Sequence, residues 1–143
     1  MPVKAVVDTN VLVSGLISEH NPPRQIIDAW LDGRYRLVTS PYQVEEVNHV
    51  LSYPQIAGRI RLEGAELDLI LAAMLSEAEL VPGHVQMPGV TRDPKDDPIV
   101  ASACEGRTDY LVSGDQDLLA VGKIEGVRVV TPRQFVTILG LEN

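Results

Sequence analysis

"AVVDTNVLVSGLIS", residues 5–18, decides how the rest of the chain is read. An apolar run begins almost at the first residue, stops on the carboxylate of Asp8, and passes through Thr9 and Asn10 directly into a second apolar stretch. "VKAVVD" (3–8) is apolar at successive positions, the pattern of a strand buried on both faces of a sheet, and "NVLVSGLIS" then reads as a helix. The same passage recurs down the chain. "RLVTS" (36–40), "AELVP" (78–82), "DYLVSG" (109–114) and "VRVVT" (127–131) are short Val- and Leu-rich strands ending in turn residues. Helical patterns lie between them. "PPRQIIDAWLDG" has Pro at its start and Gly33 at its end, and "PYQVEEVNHVLSY" lines up Val44, Val47 and Leu51 behind Ser40 as a cap. "GAELDLILAAMLSEA" (64–78), "DDPIVASACEG" (96–106) and "PRQFVTILG" (132–140) complete the set. Leu67, Ile70, Leu71, Met74, Leu75 and Trp30 are expected in the core, with a dimer interface as the alternative, and an exposed share of the stripe would mark a partner surface. Strands and helices taking turns predict an α/β fold with a mainly parallel sheet and helices on both faces.

Composition bounds the function. A chain of 143 residues that is 45% hydrophobic, with no repeat or low-complexity tract, is expected to form a single domain over residues 1–143. Its least regular part is a Gly/Pro-rich connection around residues 82–90. No apolar run approaches the ~20 residues of a membrane span, and no secretory pattern opens the chain, so a cytoplasmic protein is expected. The one cysteine, Cys104, fits a reducing compartment and has no neighbour at metal-ligand spacing. His20, His49 and His84 also lack ligand spacing. A net charge of −8 argues against a sequence-independent grip on nucleic-acid phosphate unless cations or a local basic patch reverse the sign.

In open parallel sheets, ligands bind at the carboxyl ends of the strands. The first strand ends in Asp8, the helix after the second carries Glu45 and Glu46, and the helix before the fourth opens with Asp96 and Asp97. The fourth strand runs into "SGDQDLL", with Asp115 and Asp117. Each is unremarkable alone, since Asp caps helices and forms turns. Together, carboxylates gathered without interleaved Lys or Arg repel one another unless a divalent cation neutralises them. An oxygen-rich, His-poor set selects Mg²⁺ or Mn²⁺. On this reading Asp8 closes its strand as a metal ligand, with Thr9 and Asn10 steadying it by hydrogen bonds at the helix start.

"VVDTNVLVSGL", "SPYQVEEVNHVLSYPQ" and "DPKDDPIVASACEGRTDYLVSGDQDLL" resemble, in order and spacing, the PIN-domain nucleases, especially the bacterial and archaeal branch that includes VapC-type toxins of toxin–antitoxin systems. The resemblance covers essentially the whole chain. It implies a Rossmann-like α/β/α sandwich around a five-stranded parallel sheet, a Mg²⁺- or Mn²⁺-dependent phosphodiesterase site, RNA as substrate, a homodimer and a small antitoxin protein as partner. Carried over residue by residue, the catalytic acids fall on Asp8, Glu46, Asp96 and Asp115, with Asp8, Asp96 and Asp115 as metal ligands. Asp97 competes with Asp96 for the third place. Asn10 and Ser113 match polar positions that steady the cluster, and Asp117 matches an auxiliary acid. Val47 and Asn48 follow Glu46 where the family more often has Leu and a charged residue.

The implied reaction is attack of a metal-activated water on the phosphodiester, giving 5′-phosphate and 3′-hydroxyl ends. Arg24, Arg92 and Lys95 are candidates for contacts to the nucleic-acid backbone, whereas Arg59 and Arg61 read as a solvated helix edge. Two other readings compete. A haloacid-dehalogenase-type phosphohydrolase would need an Asp two residues after the Asp8 nucleophile, where this chain has Asn10, and a Lys that "ACEGRTDY" does not offer. A non-catalytic PIN-like scaffold or RNA-binding module would not need the full acid set.

Overall fold

The computed structural model describes residues 2–60 and 64–141, so Arg61 lies outside the described residues. The elements run β1 (Lys4–Val7), α1 (Thr9–Leu16), α2 (Pro22–Leu31), β2 (Arg36–Thr39), α3 (Pro41–Leu51), α4 (Pro54–Ala57), α5 (Gly64–Ser76) and β3 (Glu79–Leu80). They continue α6 (Asp97–Glu105), β4 (Tyr110–Val112), α7 (Gln116–Leu119), β5 (Lys123–Ile124), β6 (Val127–Val130) and α8 (Pro132–Leu139). The sheet has six strands in the order β3-β2-β1-β4-β6-β5. All neighbours are parallel except β5, which pairs antiparallel with β6. The expected five parallel strands are therefore all present. The sixth is the two-residue β5, too short for any periodicity to announce it, turned back onto β6 through Glu125 and Gly126 at positive φ (49° and 85°).

The central strands are apolar on both faces because each face has a helical layer to meet, with Lys4, Arg36 and Arg128 as the charged exceptions. Ala5 and Val7 of β1 join one core with Leu37, Val112 and Val130, and Val6 joins the other with Val38, Leu111 and Val129. The first core lies under α1, α2, α3, α5 and α8, and the second under α6 and α7. In the first, Phe135 is fully buried and meets the Tyr35 ring edge-on at 5.1 Å, while the Tyr35 hydroxyl donates to the Ile26 carbonyl at 3.1 Å. Ile70 and Met74 of α5 are buried as expected, but Leu75 is 56% and Leu69 71% exposed. Leu75 therefore belongs to a surface groove with Val44 and Leu71 instead of the core.

Helix starts follow the local sequence. Asn21 accepts from the Arg24 amide and Ser40 from the Gln43 amide, each ahead of a proline in the first turn, and Thr131 with Gln134 forms a capping box. Gly33 takes φ +75° just past α2, a conformation open to glycine at no steric cost. Gly15 is required for another reason. A Cβ there would lie 2.6 Å from Ile27 Cδ1 and 2.7 Å from the Pro23 carbonyl oxygen, which belongs to the backbone of α2 and cannot rotate away. Gly15→Ala is expected to destabilise the protein by about 1–3 kcal/mol through forced separation of α1 and α2, read as a lowered urea midpoint.

No helix among the described residues is long and apolar enough to cross a membrane. From β1 the chain moves one way to β2 and β3, then returns across β1 to β4 and β6. The direction reverses between β1 and β4, so a crevice opens at their carboxyl ends.

Candidate active site

Asp8 and Ser113 stand where β1 and β4 end, on the two sides of that crevice. The sheet itself sets their positions. The Asp8 amide donates to the Val112 carbonyl and the Ser113 amide to that of Val130, both at 2.9 Å. The Ser113 hydroxyl, fully buried, donates to Asp8 Oδ2 at 2.8 Å and accepts from the Asp115 amide at 3.0 Å. One hydroxyl thus joins the ends of two strands. Asp115 Oδ1 in turn accepts from the Asp117 amide at 2.7 Å and opens α7, so the turn reading of "SGDQD" is correct for one of its oxygens.

Helix α3 brings the next acid. Gln43 is buried, accepts from the Thr39 hydroxyl at 2.6 Å, and donates through Nε2 to the carbonyl of Val7, the last residue of β1. This amide ties the first turn of α3 to β1, and Glu46, one turn further, faces Asp8 closely enough to raise its pKa. Nothing in the sequence separates Gln43 from an ordinary surface glutamine except its place three residues before Glu46. Glu45 turns away and lines the groove between α3 and α5 with Val44 and Leu75.

At α6 the adjacent aspartates divide their work. Asp97 is buried, and both of its oxygens are occupied, Oδ2 by the Gly89 amide at 2.9 Å and Oδ1 by the Thr91 amide and hydroxyl at 2.9 and 2.8 Å. The Gly89 hydrogen bond leads the effects that hold its carboxyl below the usual carboxylate range. Asp97 is thereby committed to pinning the loop before α6. Asp96 takes the N-cap position of α6 but its side chain makes no capping bond, and its Oδ2 is buried with no hydrogen-bond partner among the described residues. Burial first, then the charges of Asp115, Asp93, Asp8 and Asp117, push the Asp96 carboxyl up to about 6.

Asp8, Asn10, Gln43, Glu46, Lys95 and Asp96 line one pocket, with Lys95 as its one basic side chain among the described residues. One carboxylate oxygen each from Asp96, Asp115 and Asp117 lie within 4.8 Å of one another. The structure therefore draws Asp117, expected only as an auxiliary acid, into the tightest group, while Asp8 stands beside it across Ser113. Asp8 also occupies an N-cap position, that of α1, without making a capping bond. Its carboxyl is raised mainly by burial, and the hydrogen bonds from Ser113 and the Thr9 amide oppose the rise. Asp8 is held by the Ser113 hydroxyl, also expected to steady it, and by the Thr9 amide, not by the Thr9 or Asn10 side chains. The Thr9 hydroxyl is buried without a partner among the described residues, and Asn10 is exposed at the rim.

The arrangement fits a hard divalent cation. An ionised carboxylate oxygen buried without a donor, among other carboxylates, is costly, and an oxygen-only donor set suits Mg²⁺ or Mn²⁺. Farther out, Arg92 lines a hollow with Asp117, whereas Arg24 is engaged by Asp28 at 3.1 Å at the start of α2. Cys104, half-buried in α6, has its thiol pushed up to about 11 by burial and then by Glu125, and takes no part in the site.

The chain is 28% identical over 142 residues to the uncharacterized protein MJ1680 of Methanocaldococcus jannaschii, a match covering 94% of this chain and 90% of that one. A family model described as a PIN domain matches residues 4–117, from the first residue of β1 to Asp117. That span contains the crevice and all of its acids, and the chain belongs to the PIN-domain family, whose fold is of the nuclease type.

Proposed function

We propose that the protein is a metal-dependent endoribonuclease and that Asp8, Glu46, Asp96 and Asp115, joined by Asp117, carry its chemistry. The observation that carries this reading is Asp96 Oδ2, buried without a donor beside the Asp115 and Asp117 carboxylates. PIN domains generally use a divalent metal, and Mg²⁺ or Mn²⁺ would be held here by Asp96 and Asp115 with Asp8 or Asp117 completing the set. Such a cation, when bound, supplies Lewis acidity that acidifies water and offsets charge on the phosphodiester. The protein's own groups do the rest. Ser113 holds Asp8 and the Asp115 backbone in register, so the acids are positioned before substrate arrives. Glu46, held toward Asp8 by the Gln43 anchor, orients the attacking water through its carboxylate. Lys95 faces the phosphate from the pocket wall. The acidic site attracts the cation, the cation attracts the phosphate, and the net charge of −8 is no obstacle.

Within this reading the protein acts in the cytoplasm as the toxin of a toxin–antitoxin pair, held in check by a small partner protein. This rests on the resemblance of the three sequence blocks. A homodimer is supported by the exposed Leu69 and Leu75 and the apolar groove between α3 and α5. Labelled single-stranded RNA incubated with Mg²⁺, Mn²⁺ or EDTA tests the activity. Cutting that needs metal and falls at least ~100-fold in Asp8→Asn and Asp96→Asn is the expected result. Folded, partner-free protein that cuts nothing under either metal would instead support a non-catalytic RNA-binding or scaffold module.

A further inference from the structure

A second cavity, of about 490 Å³, adjoins the acidic pocket and shares Ser40, Tyr42, Pro98 and Ser102 with it. Its lining is mainly apolar and includes Tyr42, Met87, Pro88, Pro94, Pro98 and Ala101. Among the described residues no Lys or Arg lines it, and its one carboxylate, Asp97, is fully occupied by Gly89 and Thr91. A phosphate therefore meets no cationic side chain there. Tyr42 stands on the rim between the two pockets, 58% exposed despite its size, one helical turn before Glu46 on α3.

We infer that this cavity is a nucleobase subsite, which receives the base next to the phosphodiester held at the acids and stacks it on Tyr42. The inference rests on the nuclease reading and names the part of the substrate that reading leaves open. A base is the flat, largely apolar group nearest a scissile phosphate, and every base has a face that stacks on an aromatic ring. Gln86, on the same wall, carries both a donor and an acceptor for a base edge. The cavity is already formed, because α6 ties down the loop that roofs it at two points. Glu105 accepts from the Gly83 and His84 amides at 3.1 and 3.3 Å, and Asp97 holds Gly89 and Thr91. A base inside a duplex cannot enter, so the nucleotide beside the cut must be unpaired.

Binding tests this without relying on cleavage. The protein in Ca²⁺ is titrated with a short labelled single-stranded RNA, then with versions of it carrying one abasic position at each site in turn. One abasic position is expected to weaken binding about 10-fold, and Tyr42→Ala to weaken the intact strand by a similar factor while leaving that abasic strand unchanged. Tyr42→Trp should restore the difference, which loss of folding could not imitate. Equal affinity for intact and all abasic strands, an equal loss on both in Tyr42→Ala, or no binding of any strand overturns the subsite. Cleavage of the same strands in Mn²⁺ is scored separately. If none is cut while the abasic difference persists, the nuclease reading fails and the base subsite stands.

Discussion

Asp96→Asn is expected to make the metal-free protein more stable at pH 8 while removing its response to metal. The reason lies in the sign of the pKa shift. Burial and the neighbouring acids hold the folded-state carboxyl at about 6, above its ordinary 3.8, so the folded chain binds the proton more tightly than the unfolded chain does. Below 3.8 both states are protonated and the group is neutral in the balance. As pH rises from there through 6, the wild-type protein without metal loses stability, and above 6 the loss is complete. Asparagine removes the charge and its cost. Allowing for solvent screening, this is about 1 kcal/mol, or roughly 4 °C in Tm for a domain of this size. Asp8, whose carboxyl is also raised, adds a loss of the same sign.

Divalent metal reverses the ranking. A cation at 100 times its dissociation constant stabilises the wild type by about 2.7 kcal/mol. Asp96→Asn should lose most of that gain, and with it the cutting of RNA. Thermal melts at pH 4 and pH 8, with EDTA and with Mn²⁺, check all of this in one set of curves. A wild type unaffected by metal, or an Asp96→Asn protein that gains as much from Mn²⁺ as the wild type, would remove Asp96 from the ligand set.

Asp97→Ala, one residue away, is expected to behave in the opposite way. Its carboxyl is held below the ordinary value, led by the Gly89 amide, so it contributes stability at pH values above 3.8 that is lost as pH falls through its lower folded value. Alanine leaves the Gly89 and Thr91 amides without their acceptor and frees the loop ahead of α6. Limited proteolysis should then cut within residues 87–93, where the wild type resists. Cleavage of RNA should fall about 100-fold through misplacement of Asp96 and Lys95, as catalytic groups displaced by ~1 Å lose about that factor. The gain in Tm from Mn²⁺ should survive, because both Asp97 oxygens are spent on the loop. Loss of that gain in Asp97→Ala but not in Asp96→Asn would exchange the roles of the two residues.

The layered fold was legible in the chain because its signal is local. Strands such as β1 hold an unbroken apolar run, Ala5–Val7, since both faces are covered, and prolines and caps mark where helices begin. Only the short α4, α7 and β5 escaped, being two to four residues long and without a full period of any pattern. The segments bearing the acids were legible too, because a parallel sheet sends the carboxyl ends of its strands to one edge whatever the details. Spacing alone did not say which acid of each adjacent pair faces that edge; the resemblance named Glu46 outright and Asp96 with Asp97 as competitor. Successive side chains on a helix point about 100° apart, so Glu45 and Glu46 part company once the buried Gln43 sets the rotation of α3. At α6 the choice depends on a loop that folds back to give Asp97 three donors and leaves Asp96 with none for its buried oxygen. Residue type and spacing assemble negative charge at the sheet edge, but only long-range hydrogen bonds decide which carboxylates are satisfied by the protein and which are left for a cation.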